Sequence, residues 1–140
     1  MSCKQGFTLM EMLIVLAIIG VCIALFLPNY LKPTEQSRAL VAKNNLLAIY
    51  TAQQNYRNNN GTFYVTPGSP SNDLSGINTA LSLNFTDDGS YNYLCNTSAS
   101  GFSCQATRVL SPGITLLVTN SPIGSANPSC LDSHTTGWCP

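Results

Sequence analysis

Charge is scarce in this sequence. Only 9% of its 140 residues are charged, against about 25% in an average soluble domain, and six basic residues balance six acidic ones. So small and even a set gives no electrostatic reason to bind nucleic acid. Histidine occurs once. Cys130, His134 and Cys139 fall one ligand short of a tetrahedral zinc site, and their spacing fits no common finger. A Gly-rich phosphate loop is missing, and no nucleophile elbow supports a Ser/His/Asp site built on His134. Asp87-Asp88-Gly89 is a turn without the further carboxylates that calcium requires. The chain is therefore read as not an enzyme, with no catalytic residue, cofactor or metal. The length fits one domain. A body rich in Ser, Thr, Asn and Gly presents a neutral polar surface, as in extracellular proteins that meet variable salt.

Long apolar sequence is present once, near the start. Phe7 to Leu27 reads FTLMEMLIVLAIIGVCIALFL, which as a helix covers about 30 Å, the thickness of a bilayer core. No A-x-A-like site follows it, so it is not a removable secretory signal. Lys4 precedes the span while Lys32, Arg38 and Lys43 follow it, so the positive-inside rule does not favour a cytoplasmic N-terminus. Glu11 stands alone in the apolar run, where an unpaired carboxylate costs at least a few kcal/mol. No Lys or Arg lies between Phe7 and Leu31. The partner is expected on another molecule or at a newly created amine. The alternative is a protonated Glu11 reaching toward the headgroups.

Gly6-Phe7-Thr8-Leu9-Met10-Glu11, followed by the apolar run Met12 to Leu27, resembles the type IV prepilin signature. The resemblance implies that a membrane peptidase cuts between Gly6 and Phe7 and methylates the Phe7 amine. It also implies that Glu11 is the assembly carboxylate and Lys4 the short basic leader. Residues 1–6 would be the leader, 7–31 the membrane and assembly helix, and 32–140 an amphipathic helix with a globular head. Gly20 and Pro28 resemble the glycine and proline that bound an unwound stretch in some type IV filaments; an ordinary proline kink is the alternative. Pro33 could bend the helix again. The partners implied are further copies in a filament, minor pilins, the prepilin peptidase/methyltransferase and an inner-membrane assembly platform, with an extension ATPase acting indirectly. The precursor would sit in the inner membrane, and the product in an extracellular pilus or a periplasmic pseudopilus. A pilus subunit is favoured over a type II secretion pseudopilin. Four body cysteines and a weak likeness of Asp87-Asp88-Gly89 to the pseudopilin calcium loop decide that preference.

Beyond the span, Thr34 to Asn58 reads as a helix capped by Thr34, with Glu35 in its first turn. Ala39, Ala42, Leu46, Ile49, Ala52 and Tyr56 form one stripe at steps of three and four, suited to packing on a sheet. Asn58-Asn59-Asn60-Gly61 ends it. This ending and the aromatic pair Phe63-Tyr64 again resemble pilins and pseudopilins. A short helix is expected from Asp73 to Leu81. Three strands follow, around Tyr91–Cys95, Phe102–Ala106 and Ile114–Val118. The fold expected is α+β, a long N-terminal helix packed on a small antiparallel sheet. An even set of body cysteines reads as disulfides in an oxidising compartment, which places the body outside the cytoplasm. Cys95, Cys104, Cys130 and Cys139 allow three connectivities, and nearest pairing favours Cys95–Cys104 and Cys130–Cys139. Trp138 is expected to pack on the second. The sequons at Asn60, Asn84 and Asn96 are taken as chance in an Asn- and Thr-rich chain.

Overall fold

The computed structural model describes residues 7–26, 31–68, 70–98, 101–110, 113–124, 126–131 and 139. The chain divides into two units between Thr34 and Glu35. The first contains helix α1, Leu9–Phe26. The second contains most of α2 (Leu31–Asn60), then α3 (Leu74–Leu81) and strands β1 (Tyr91–Ser98), β2 (Gly101–Arg108), β3 (Thr115–Thr119) and β4 (Ser129–Leu131). The strands form one antiparallel sheet in the order β1-β2-β3-β4, and the architecture is α+β. The fourth strand was not expected. It is only three residues long and follows a Pro- and Asn-rich stretch, so it lacks the length that makes alternation visible.

Helix α2 starts earlier than Thr34. Pro33 falls in its first turn, where a missing N–H leaves no helical bond unmade, so Thr34 is inside the helix and not its cap. The other end matches the residues that close it. Gly61 takes a left-handed φ of 76° and its N–H donates to the Arg57 carbonyl at 2.7 Å, while the Asn60 amide donates to the Tyr56 carbonyl.

The core lies between one face of α2 and one face of the sheet. Ala39, Ala42, Leu46 and Ile49 are buried against Tyr93, Cys95, Phe102, Cys104, Ala106, Leu116 and Val118, with Leu74, Ile77 and Leu81 of α3 closing the side. Each fully buried large apolar side chain contributes roughly 1.5–3 kcal/mol over its exposed state. Cys95 and Cys104 face each other across β1 and β2 and are disulfide-bonded; Cys130 is bonded to Cys139. Trp138 lies outside the described residues.

The buried stripe departs from expectation at its upper end. Gln53 joins it and is fully buried, while Ala52 and Tyr56 are partly buried against the core. Its Nε2 donates to the Tyr64 carbonyl at 2.9 Å, and its Oε1 accepts from the Tyr64 N–H at 2.9 Å. The amide thus pairs with a loop residue as a neighbouring strand would. The device recurs twice. Asn78 exchanges both bonds with Phe85 at 2.8 and 3.1 Å, and Asn127 does so with Thr119, both at 3.1 Å. Beside β1, Asn72 Oδ1 accepts from the Tyr93 N–H, and Thr66 Oγ1 from the Cys95 N–H. Buried backbone groups must be paired, and here side chains from loops and helices pair them.

Candidate functional site

The start of α1 carries the residues that the sequence singles out. Thr8 precedes the first helical residue, and Glu11 is the third residue of the helix. Thr8 N–H and Oγ1 both donate to Glu11 Oε2, at 2.8 and 2.9 Å, and the Glu11 N–H donates to Thr8 Oγ1 at 3.3 Å. This is a reciprocal capping box, which satisfies helix N–H groups that otherwise have no partner. It also fixes the carboxylate where the helix dipole favours negative charge.

The box corrects one expectation: Glu11 has polar partners within its own chain. The sequence signal, a Thr followed three residues later by Glu before an apolar run, was there to be read. What the box leaves open is charge, since Thr8 supplies hydrogen bonds but no cation. Both contacts converge on Oε2, so Oε1 takes no part in the box, and Phe7 nearby is largely exposed.

Apolar side chains project from all sides of α1, with Leu9, Met10, Leu13, Leu16, Ile18, Val21 and Leu25 all exposed. A helix without a polar face must be covered by lipid or by protein. Among the described residues, however, no helix is long and apolar enough to cross a membrane. The 18 residues of α1 give about 27 Å of rise, a few ångström less than a bilayer core of about 30 Å. The expected span was longer because it counted Phe7 and Thr8, which precede the helix, and Leu27, which lies outside the described residues. Gly6, Lys4 and Pro28 lie outside them too. Gly20 sits within unbroken helix, with open space where a Cβ would project.

Comparison with known proteins bears on this segment. Residues 1–27 match the family described as prokaryotic N-terminal methylation motif. A stretch of 53 residues, 38% of the chain, is 48% identical to the type IV major pilin protein PilA of Myxococcus xanthus, covering 24% of that protein. A stretch of 57 residues, 41% of the chain, is 35% identical to the type II secretion system core protein G of Pseudomonas aeruginosa, covering 40% of it. The N-terminal segment is of the pilin and pseudopilin type. The match thus spans less than half the length of either relative, and no solved structure matches the chain.

Away from the prepilin-type segment, the described residues of the body include an ion-pair cluster that the sequence does not announce. Arg108 Nε and Nη2 donate to the two oxygens of Glu35 at 2.8 and 3.0 Å, and Nη1 donates to the Ser90 carbonyl at 2.7 Å. The side chains are 2% and 14% exposed, and Arg38 reaches Glu35 at 3.1 Å. A bidentate pair of this kind is the stronger sort. The Arg108 hydrogen bonds hold the Glu35 carboxyl below the usual carboxylate range. An isolated Arg near the end of a strand carries no sequence signal for a partner 73 residues away.

The remaining described acids also serve the fold. Asp87 Oδ1 accepts from the Gly89 N–H and Asp88 Oδ1 from the Ser90 N–H, both at 2.9 Å, so both close the turn before β1. Asp73 accepts from the Tyr64 hydroxyl at 2.8 Å. Burial first, and that hydrogen bond second, push the Tyr64 phenol up to about 12. Among the described residues no cluster of His, Cys, Asp or Glu could hold a metal.

Proposed function

We propose that this chain is a structural subunit of a type IV pilus, cut after Gly6, methylated on Phe7 and polymerised through α1. The observation that carries the reading is a methylation-motif segment whose one acidic residue, Glu11, is fixed at the start of an otherwise apolar helix. Cleavage would free the Phe7 amine as a cation at the membrane edge. Glu11 of an adjacent copy neutralises it, and the pairing sets the axial register of one helix against the next. Because the capping box already holds the carboxylate, little side-chain freedom is lost when the pair forms. A charge left unpaired in low dielectric is costly, so misregistered copies are disfavoured.

Before assembly the subunit is anchored in the inner membrane by α1, whose small shortfall in length a locally thinned bilayer accommodates. The two disulfides support a body outside the cytoplasm. In the filament, copies of α1 replace lipid around each other, and Gly20 and Pro28 mark where the helix opens or kinks. Minor pilins, the peptidase/methyltransferase and the assembly platform are the further partners, and no catalytic role is proposed. The likeness to a type II secretion core protein supports a second reading, a periplasmic pseudopilus.

The test combines the mass of the mature N-terminus with Glu11→Ala. A chain beginning at methylated Phe7, with the variant processed but giving few or no filaments, is the expected result. Normal filament yield from the variant removes the assembly role. Fibres recovered by shearing favour the pilus; a shear fraction lacking the protein, with secretion lost in its absence, favours the pseudopilus.

A further inference from the structure

The body does not distribute its exposed apolar residues evenly. In the second unit, β2 runs antiparallel to α2, because Phe102 at its start meets Tyr50 and Phe63, while Arg108 at its end meets Glu35. The end carrying Glu35, here called proximal, therefore also carries the turn after β2. It carries Leu131 as well, because Leu131 pairs with Thr115 and Thr115 with Thr107. Six large apolar side chains of this unit are exposed among the described residues: Leu40, Val41, Val109, Leu110, Ile123 and Leu131. Leu40 and Val41 lie within two turns of Glu35. Val109, Leu110 and Leu131 are 48%, 63% and 61% exposed at the proximal edge of the sheet. Only Ile123, beyond Thr119, belongs to the distal end.

From this asymmetry we infer that the proximal end of the body is a lipid-contact surface that rests in the headgroup layer before assembly. The inference rests on the proposed anchoring of α1. Given that anchoring, chain length identifies the occupant. Eight residues, 27–34, separate Phe26 from Glu35, and even fully extended they reach only about 30 Å. The bilayer surface is thus the apolar phase always within reach of this end. Attraction is apolar and not electrostatic, because Asp87 and Asp88 lie at the same end as Arg38. Binding then needs no anionic lipid, and zwitterionic headgroups suffice.

The experiment uses the full chain, as dispersed monomer in phosphatidylcholine nanodiscs, with nitroxide labels placed one at a time in a Cys3→Ser, Cys22→Ser background. Leu110→Cys reports the proximal end, Ile123→Cys the distal end and Ile18→Cys the anchor. The expected result is graded. Ile18 is accessible to oxygen and shielded from a water-soluble nickel reagent. Leu110 shows a higher oxygen-to-nickel ratio than Ile123, and Ile123 is fully open to nickel. The ratio at Leu110 falls to the Ile123 level when Val109 and Leu131 are both replaced by Asp. A Leu110 label as open to nickel as Ile123, with Ile18 still shielded, overturns the contact and leaves the anchoring intact. Spin–spin broadening at Leu110 that grows with protein-to-lipid ratio assigns the surface to a second copy and also overturns it. An Ile18 label open to nickel defeats the anchoring itself.

Discussion

Gln53→Glu tests whether a side-chain amide stands in for a strand. The substitution conserves shape, so it opens no cavity. It removes the Nε2 donor that the Tyr64 carbonyl uses at 2.9 Å and sets a carboxylate oxygen against that carbonyl, at a position with no solvent exposure. The other bond, from the Tyr64 N–H, survives. A buried carboxylate so placed takes up a proton instead of remaining charged, and the resulting O–H can donate to the Tyr64 carbonyl as the amide did. The cost at neutral pH is then the work of protonation. From an unfolded pKa of about 4.3, that work is about 3.7 kcal/mol at pH 7 and about 1 kcal/mol at pH 5.

The sign follows from linkage. The variant's folded-state pKa is raised above its unfolded value, so its stability matches the parent's below the unfolded pKa. The deficit then grows by about 1.4 kcal/mol per pH unit until the folded pKa is reached. The assay is urea unfolding of the full chain in detergent with disulfides intact, the variant compared with its parent at pH 5, 6 and 7. A deficit that does not change across those three pH values would refute the reasoning, because packing and not protonation would then set it. No deficit at any pH would mean that water reaches Gln53.

Three other outcomes are expected. Thr8→Ala removes one half of the capping box and costs about 1 kcal/mol of helix stability; it should lower filament yield more than Thr8→Ser, measured by shearing. Gly76→Ala, ordinarily a gain of up to about 1 kcal/mol in a helix, should here destabilise. Its Cβ would collide with the Asp73 carboxylate and come within 2.6 Å of the Tyr64 hydroxyl. The Tyr64 phenol should then titrate below its present value of about 12, read by ultraviolet absorbance. Glu35 has a depressed folded pKa, so its contribution is complete above the unfolded pKa of about 4.3 and disappears as pH falls through the lower folded value. Glu35→Gln should cost about 3 kcal/mol at pH 7, the low end for a broken buried pair, and should flatten the acid limb of the thermal-melting profile.

The sequence made the long features legible. The stripe Ala39, Ala42, Leu46 and Ile49 repeats often enough to define a buried face, and Tyr91, Tyr93 and Cys95 alternate cleanly into it. Both helix stops in the body use left-handed residues, but only Gly61 was readable; Ser82, with φ of 54°, is not a residue that announces such a turn. Polar residues that act as core were the main loss. Gln53 falls on the stripe but does not look apolar, and Arg108 is buried because Glu35 meets it from a distant element. At the candidate site, the motif around Glu11 was clear while Thr8 was passed over. An apolar run draws attention to its one charge and away from the hydroxyl that orients it.

The shortage of charge has a structural meaning that composition alone does not convey. Nine charged residues have described side chains, and eight of them are engaged: Glu11 in the capping box, Glu35, Arg38 and Arg108 in one cluster, Asp73 with Tyr64, Asp87 and Asp88 in the turn before β1, and Arg57 over the Phe63 ring at 5.0 Å. Only Lys43 stands apart from such contacts. The charges are therefore spent on the fold, and amides and hydroxyls are left to face solvent. Exposed charge pairs weaken as salt rises, whereas neutral hydrogen-bonding groups and apolar contacts change far less. In the proposed filament such a body would meet copies of itself over a wide range of ionic strength, and electrostatic register would fall to Glu11, where burial among helices would protect it from screening.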